Sequence, residues 1–169
     1  MTHQSEIFKH ALTEAFKQLK KKGYMTRQNF WCCQSCAWAA VPEGKGDKVV
    51  FYHRQDTEGI TRGNTPSVCL AWSGDGTEIC SELRDLGLVT NWDGSEHTRI
   101  EAMLLPEQAH RVGEKVGDRI HKRMAAKLKM EWSEYYELWG DIPYAYKNEP
   151  IREAERLAKM AEQKAKEAK

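Results

Sequence analysis

Apolar residues near the start of the chain recur at steps of three and four: Ile7, Phe8, Ala11, Leu12, Ala15, Phe16 and Leu19. At 3.6 residues per turn this spacing aligns them on one face, which predicts an amphipathic helix. Ser5 is the expected N-cap, and Lys20-Lys21-Lys22-Gly23 a fitting end, because cations suit a helix C-terminus and glycine the position beyond it. A solvated helix end explains the lysine run better than a phosphate contact does.

From residue 24 to about 105 the pattern changes to short apolar runs divided by turn residues. Gln28–Trp31, Lys48–His53 and Ser67–Trp72 read as strands, the second being the clearest because it is β-branched and aromatic. Leu88–Trp92 and Thr98–Leu104 read as a hairpin around Asp93-Gly94-Ser95, since Asp-Gly tolerates positive φ. Between them a helix is predicted from about Glu78 to Asp85 or Leu86, capped by Thr77, ended by Gly87 and striped by Ile79, Leu83 and Leu86. The expected fold is α+β: a four- to five-stranded, mostly antiparallel sheet with helices on one face.

The last third is helical in pattern. Pro106 suits a first helical position, and Ala109, Val112, Val116, Ile120, Met124, Leu128 and Trp132 then keep a near-perfect four-residue step, the first being three. The stripe continues through Tyr135, Tyr136 and Trp139, with a bend expected near 129–131 and a stop at Gly140-Asp141-Ile142-Pro143. A final charged helix from Pro150 has a stripe almost wholly of alanine, which buries little and reads as a solvated tail. The expected organisation is thus a core domain, 1–105, and a helical extension, 106–169.

Composition narrows the classes. The 26 Lys+Arg and 25 Asp+Glu leave a net charge of +1, which is not the balance of a uniformly basic nucleic-acid coat. No run is apolar enough to span a membrane, and Met1–Glu6 lacks the basic region and apolar block of a secretory leader. Five cysteines, three of them at 32, 33 and 36, do not resemble a secreted disulfide framework. A reducing, cytoplasmic setting is expected.

The densest chemistry is Phe30-Trp31-Cys32-Cys33-Gln34-Ser35-Cys36, followed by His53 in Phe51-Tyr52-His53-Arg54-Gln55-Asp56. Cys33-x-x-Cys36 is the spacing with which a tight turn offers two thiolates to one tetrahedral ion, zinc being the candidate. His53 is placed to add a nitrogen, and Cys32 or Asp56 a fourth ligand. A redox role needs a low-pKa thiolate. Trp31-Cys32-Cys33-Gln34-Ser35-Cys36 resembles the Trp-Cys-x-x-Cys of thioredoxin-like proteins, but its frame is shifted by one, no β-α-β unit precedes it, and the family's cis-proline loop has no clear counterpart. Simple packing of Cys33 or Cys36 under the sheet, with no cofactor bound, outweighs either role as the expectation.

His53, Arg54 and Asp56 also offer a base, an anion clamp and an orienting carboxylate, against which stand ordinary turn and core roles. Gly74-Asp75-Gly76 lacks a nucleotide-binding pattern, and no catalytic signature occurs. Arg111, Lys115, Arg119, Lys122, Arg123, Lys127 and Lys129 oppose only Glu114 and Asp118, a local +5 on the long helix. Such a face can lie along phosphates, although a solvated surface has the same pattern. Glu131, Glu134, Glu137 and Asp141 beside it make the surface dipolar, which suits docking another protein.

Residues 24 to 105 resemble a bacterial family of unknown function, through Phe-x-Cys-Cys-x-x-Cys (30–36), Phe-Tyr-His-x-Gln-Asp (51–56) and Gly-Leu-x-x-x-Trp-Asp-Gly-Ser-x-x-x-Arg-Ile (87–100). The resemblance implies that the three motifs belong to one architecture, and it implies no activity. The leading expectation is a small binding or regulatory protein, such as a phage or mobile-element inhibitor, whose helical extension docks a host protein or a second copy. The rivals are a metal- or thiol-dependent protein using Cys33, Cys36, His53 and Asp56, and a nucleic-acid binder using the basic helix.

Overall fold

The computed structural model describes residues 3–61, 65–129 and 131. The chain divides into two compact units, Met1–Val112 and Gly113–Lys169, and the sheet lies in the first.

Helix α1 (His3–Lys21) carries the expected stripe, and all seven of its apolar residues are buried. It begins before Ser5, which is a buried residue inside the helix and not its cap. It ends as expected: Gly23, at φ +93°, lets the Tyr24 amide reach the Leu19 carbonyl (3.1 Å) and its own amide reach that of Lys20 (3.1 Å). Those two bonds satisfy carbonyls that the helix end leaves open.

Strand β1 is Met25–Arg27, three residues earlier than the sequence pattern indicates. The backbone is left-handed at Asn29 (φ 50°) and Trp31 (φ 60°), so residues 28–31 cannot continue it as a strand. The rest of the sheet is β2 (Val49–Phe51), β3 (Ser67–Ser73), β4 (Val89–Asn91) and β5 (Ile100–Met103), in the order β1-β2-β3-β5-β4. Four strands are joined antiparallel, but β1 runs parallel to β2, and the sheet is mixed. The parallel pair is linked through helix α2 (Gln34–Ala39), making a β-α-β unit.

Successive strand residues face opposite sides, so Val49 and Phe51 oppose Val50. Val49, Phe51 and Ala71 pack with Ala37 of α2, bordered by Met25, Phe30, Trp38 and Val41. Val50, Val68, Leu70, Ile100 and Ala102 form the other buried face. There α1 packs on helix α4 (Gly76–Asp85), and helix α3 (Thr57–Thr61) packs on β3. Helices therefore cover both faces, not one, because the β1–β2 crossover must pass over a face of its own.

The cap of α4 is Asp75, not Thr77: its carboxylate accepts from the amides of Thr77 (2.9 Å) and Glu78 (3.2 Å). Asn91 pairs with Glu101, so residues 92–100 form a longer connection than a tight Asp-Gly hairpin. Within it the Asp93 carboxylate accepts from the Ser95 amide (2.9 Å) and the Thr98 hydroxyl. These bonds, the Thr98 hydroxyl first, hold its pKa below the ordinary value.

After a 3-10 turn at Pro106–Gln108, helix α5 runs Ala109–Leu128 and stops where Lys129 turns left-handed (φ 56°). Ala109 and Val112 are buried in the first unit, and Val116, Ile120 and Ala125 are buried in the second. The expected continuation through Trp132 to Trp139 and the final helix lie outside the described residues.

Candidate metal centre

The β-α-β unit explains how motifs far apart in sequence come together. Cys32, Cys33 and Cys36 follow the carboxyl end of β1, and His53 and Asp56 follow that of β2. Because the strands are parallel, both segments emerge at one edge of the sheet, where open α/β arrangements place their ligands. Two hydrogen bonds join them there: the Phe30 amide donates to the Tyr52 carbonyl (2.9 Å), and the Arg54 amide to that of Trp31 (2.9 Å).

Cys33 precedes α2 in extended conformation (φ −150°, ψ 171°), and Cys36 follows in the first turn. One helical turn brings their side chains together, and the preceding residue adds a third. The Cys32 and Cys33 sulfurs are 3.8 Å apart, and the Sγ atoms of Cys32, Cys33 and Cys36 all lie within 4.8 Å of one another. Cys32 and Cys36 are exposed and Cys33 is half-buried, with every thiol free. These three residues can hold a metal ion.

The environment divides the thiols electrostatically. The Cys36 backbone amide, then the Cys36 and Cys32 thiols, favour a thiolate at Cys33 and lower its pKa. The Cys32 and Cys33 sulfurs, Cys32 first, disfavour charge at Cys36 and push its pKa up to about 11. The arrangement thus favours the thiolate at Cys33, the least exposed of the three, and opposes it at Cys36. Just before them the left-handed Trp31 holds its ring 56% exposed, the exposed large hydrophobic side chain among the described residues.

His53 and Asp56 form a separate group. His53 is 5% exposed, and its Nε2 lies 3.2 Å from Asp56 Oδ2. The same carboxylate oxygen accepts from the His53 amide at 3.0 Å. Arg99, just before β5, donates to both Asp56 oxygens (3.1 and 2.6 Å) and also to the Cys69 carbonyl. Burial holds the His53 imidazole below its ordinary pKa; Asp56 opposes the shift and Arg99 adds to it.

The expected quartet of Cys33, Cys36, His53 and Asp56 is thus arranged as two neighbouring sets. Cys32 completes the thiol group, while His53 and Asp56 are engaged with each other and with Arg99. Residue-by-residue reasoning assigned Arg99 no role. It was nonetheless visible as the Arg-Ile that ends the third motif.

On α5, Arg111, Lys122, Arg123 and Lys129 are exposed, whereas Lys115 and Arg119 are half-buried. Lys122 pairs with Asp118 at 2.9 Å. Nothing is described of the Lys127 side chain, and most of the extension on which docking or self-association would rest lies outside the described residues. Among the described residues no helix is long and apolar enough to cross a membrane.

No curated protein and no solved structure matches the chain. A family model does, over residues 3–106, a stretch that includes all three motifs and every strand of the sheet. The chain belongs to the family described as Domain of unknown function (DUF6891).

Proposed function

We propose that this protein binds a thiophilic metal ion, zinc being one candidate, through Cys32, Cys33 and Cys36. The observation that carries the reading is the convergence of three free sulfurs within 4.8 Å at the edge of the β-α-β unit. The Cys32–Cys33 separation, 3.8 Å, matches the edge of ~3.8 Å expected between thiolates bound to one tetrahedral ion at ~2.3 Å. Sulfurs packed merely as core would be buried, yet two of these are exposed. The reading requires reduced thiols and hence a reducing compartment such as the cytoplasm.

The chain provides the three sulfurs, two of them exposed to exchange, while His53 turns its Nε2 to Asp56. Zinc on three thiolates would leave its fourth position to solvent or to a ligand in transit. Uptake would release protons as thiols become thiolates.

The test is metal analysis of the full chain, purified reduced and without chelator, then titrated with Zn(II). One ion per chain with three thiols shielded from alkylation is expected. Cys33→Ser and Cys36→Ser should each weaken uptake at least about tenfold, as loss of a metal ligand does. Cys69→Ala should leave uptake unchanged. Failure of the native chain to take up any thiophilic ion, or unchanged uptake in Cys33→Ser/Cys36→Ser, would overturn the proposal.

A further inference from the structure

The donor set is unusual in being only sulfur and only three. Among the described residues no imidazole or carboxylate joins the Cys32, Cys33 and Cys36 group. Of the other candidates raised by the sequence, His53 Nε2 faces Asp56, both Asp56 oxygens are held by Arg99, and His53 Nδ1 is buried without a hydrogen-bond partner. Cys80 is buried on α4 and Cys69 lies on β3, outside the group. Beyond the described residues the sequence contains no further cysteine or histidine. Among the described residues the group thus offers the ion three sulfurs and no imidazole or carboxylate.

Resting on the metal-binding reading above, we infer that the ion the trio selects is monovalent copper, held three-coordinate by Cys32, Cys33 and Cys36. Soft thiolates favour Cu(I), whereas structural zinc sites are almost always closed by four protein ligands. A planar three-sulfur site with bonds of ~2.3 Å has edges of ~4.0 Å. The present arrangement, 3.8 Å between Cys32 and Cys33 and all pairs within 4.8 Å, reaches it with small side-chain movement. On binding, three Cu–S bonds form, and each sulfur that is still protonated gives up its proton to solvent. Copper enters and stays monovalent, so the step needs no electron donor or acceptor. The exposed Cys32 and Cys36 leave one side of the ion open for its exchange.

The experiment uses the full reduced chain under anaerobic conditions, titrated with Cu(I) against a competing Cu(I) chelator and, in parallel, with Zn(II). X-ray absorption then counts the ligands. The expected result is one Cu(I) per chain with three sulfur neighbours, not displaced by about a tenfold excess of Zn(II). Cys32→Ser should reduce the sulfur count to two and weaken Cu(I) binding at least about tenfold. His53→Gln should leave the coordination unchanged.

Preferential Zn(II) binding with an oxygen as fourth neighbour would overturn the copper assignment while leaving the metal-binding reading intact. A nitrogen neighbour lost in His53→Gln would also overturn it, and unaltered Cu(I) binding in Cys32→Ser would do the same. Uptake of neither ion would overturn both.

Discussion

At the scale of residues, Arg99, Asp56 and His53 show how a polar group is kept inside a small fold. Arg99 spans three segments by bonding the Asp56 carboxylate after β2 and the Cys69 carbonyl of β3 from its place before β5. Removing it would leave a mostly buried carboxylate and a carbonyl without that donor, a loss of about 1–3 kcal/mol for charge-assisted bonds. The pH dependence of His53 has a definite sign. Its folded pKa is lowered from the ordinary 6.5, so below that pH the unfolded chain takes up the proton first. Its stabilising contribution is complete above 6.5 and shrinks as the pH falls towards the folded value. Urea midpoints measured from about pH 7.5 down to about 5.5 should fall, and His53→Gln should make the decline shallower. His10, also lowered by burial, keeps part of the slope in that variant. An equally steep decline in His53→Gln would show that the imidazole is not the titrating group.

Elements were legible where periodicity was long and hidden where it was short. The seven-residue stripe of α1 determined its buried face, and Gly23 determined its end. In contrast, β1 has three residues, too few for alternation to appear, and the apolar Phe30-Trp31 beside it drew the strand towards a segment with left-handed backbone. The cap of α4 was missed because Asp75 and Thr77 are both good capping residues; Asp75 prevails by accepting two amides. The thiol site was legible from spacing, since Cys33 and Cys36 lie one turn apart. The hold of Arg99 on Asp56 was not, because the two lie forty-three residues apart.

Two glycines distinguish backbone strain from crowding. Gly23→Ala places a Cβ in open space but at φ +93°, and should cost about 1–2 kcal/mol through backbone strain alone. Gly76→Ala has no such φ, yet its Cβ would lie 2.6 Å from the Trp92 ring and 2.9 Å from that of Trp72. It should cost about 1–3 kcal/mol and, unlike Gly23→Ala, alter the tryptophan fluorescence of the folded protein. Thermal unfolding and emission spectra of the two variants check both statements. Native emission in Gly76→Ala would contradict the close approach.

For the molecule as a whole, strand order sets a gradient of local stability. The seven-residue β3 is paired on both sides, by β2 and β5, while β1 and β4 are three-residue edges. Hydrogen exchange should be slowest at Val68–Trp72 and about tenfold or more faster in β1 and β4. The reverse order would show that cohesion comes from the flanking helices and not from the sheet. The α+β class and the antiparallel strands were readable from alternation and turn residues. The parallel β1–β2 pair was not, because the sequence does not say which edge a three-residue strand joins.

The packing around Gly76 has an optical consequence. The indole rings of Trp72 and Trp92 stand edge to face, 5.4 Å between centroids and 89° between planes. Each is tethered through its ring nitrogen to the loop after β4, Trp72 to the Thr98 carbonyl and Trp92 to that of Ser95. At this distance the excited states of two indoles mix, so the pair contributes a circular-dichroism couplet that neither ring produces alone. Should the loop lift from β3, the couplet vanishes before any strand unpairs. The protein thus carries its own unlabelled chromophore for that corner.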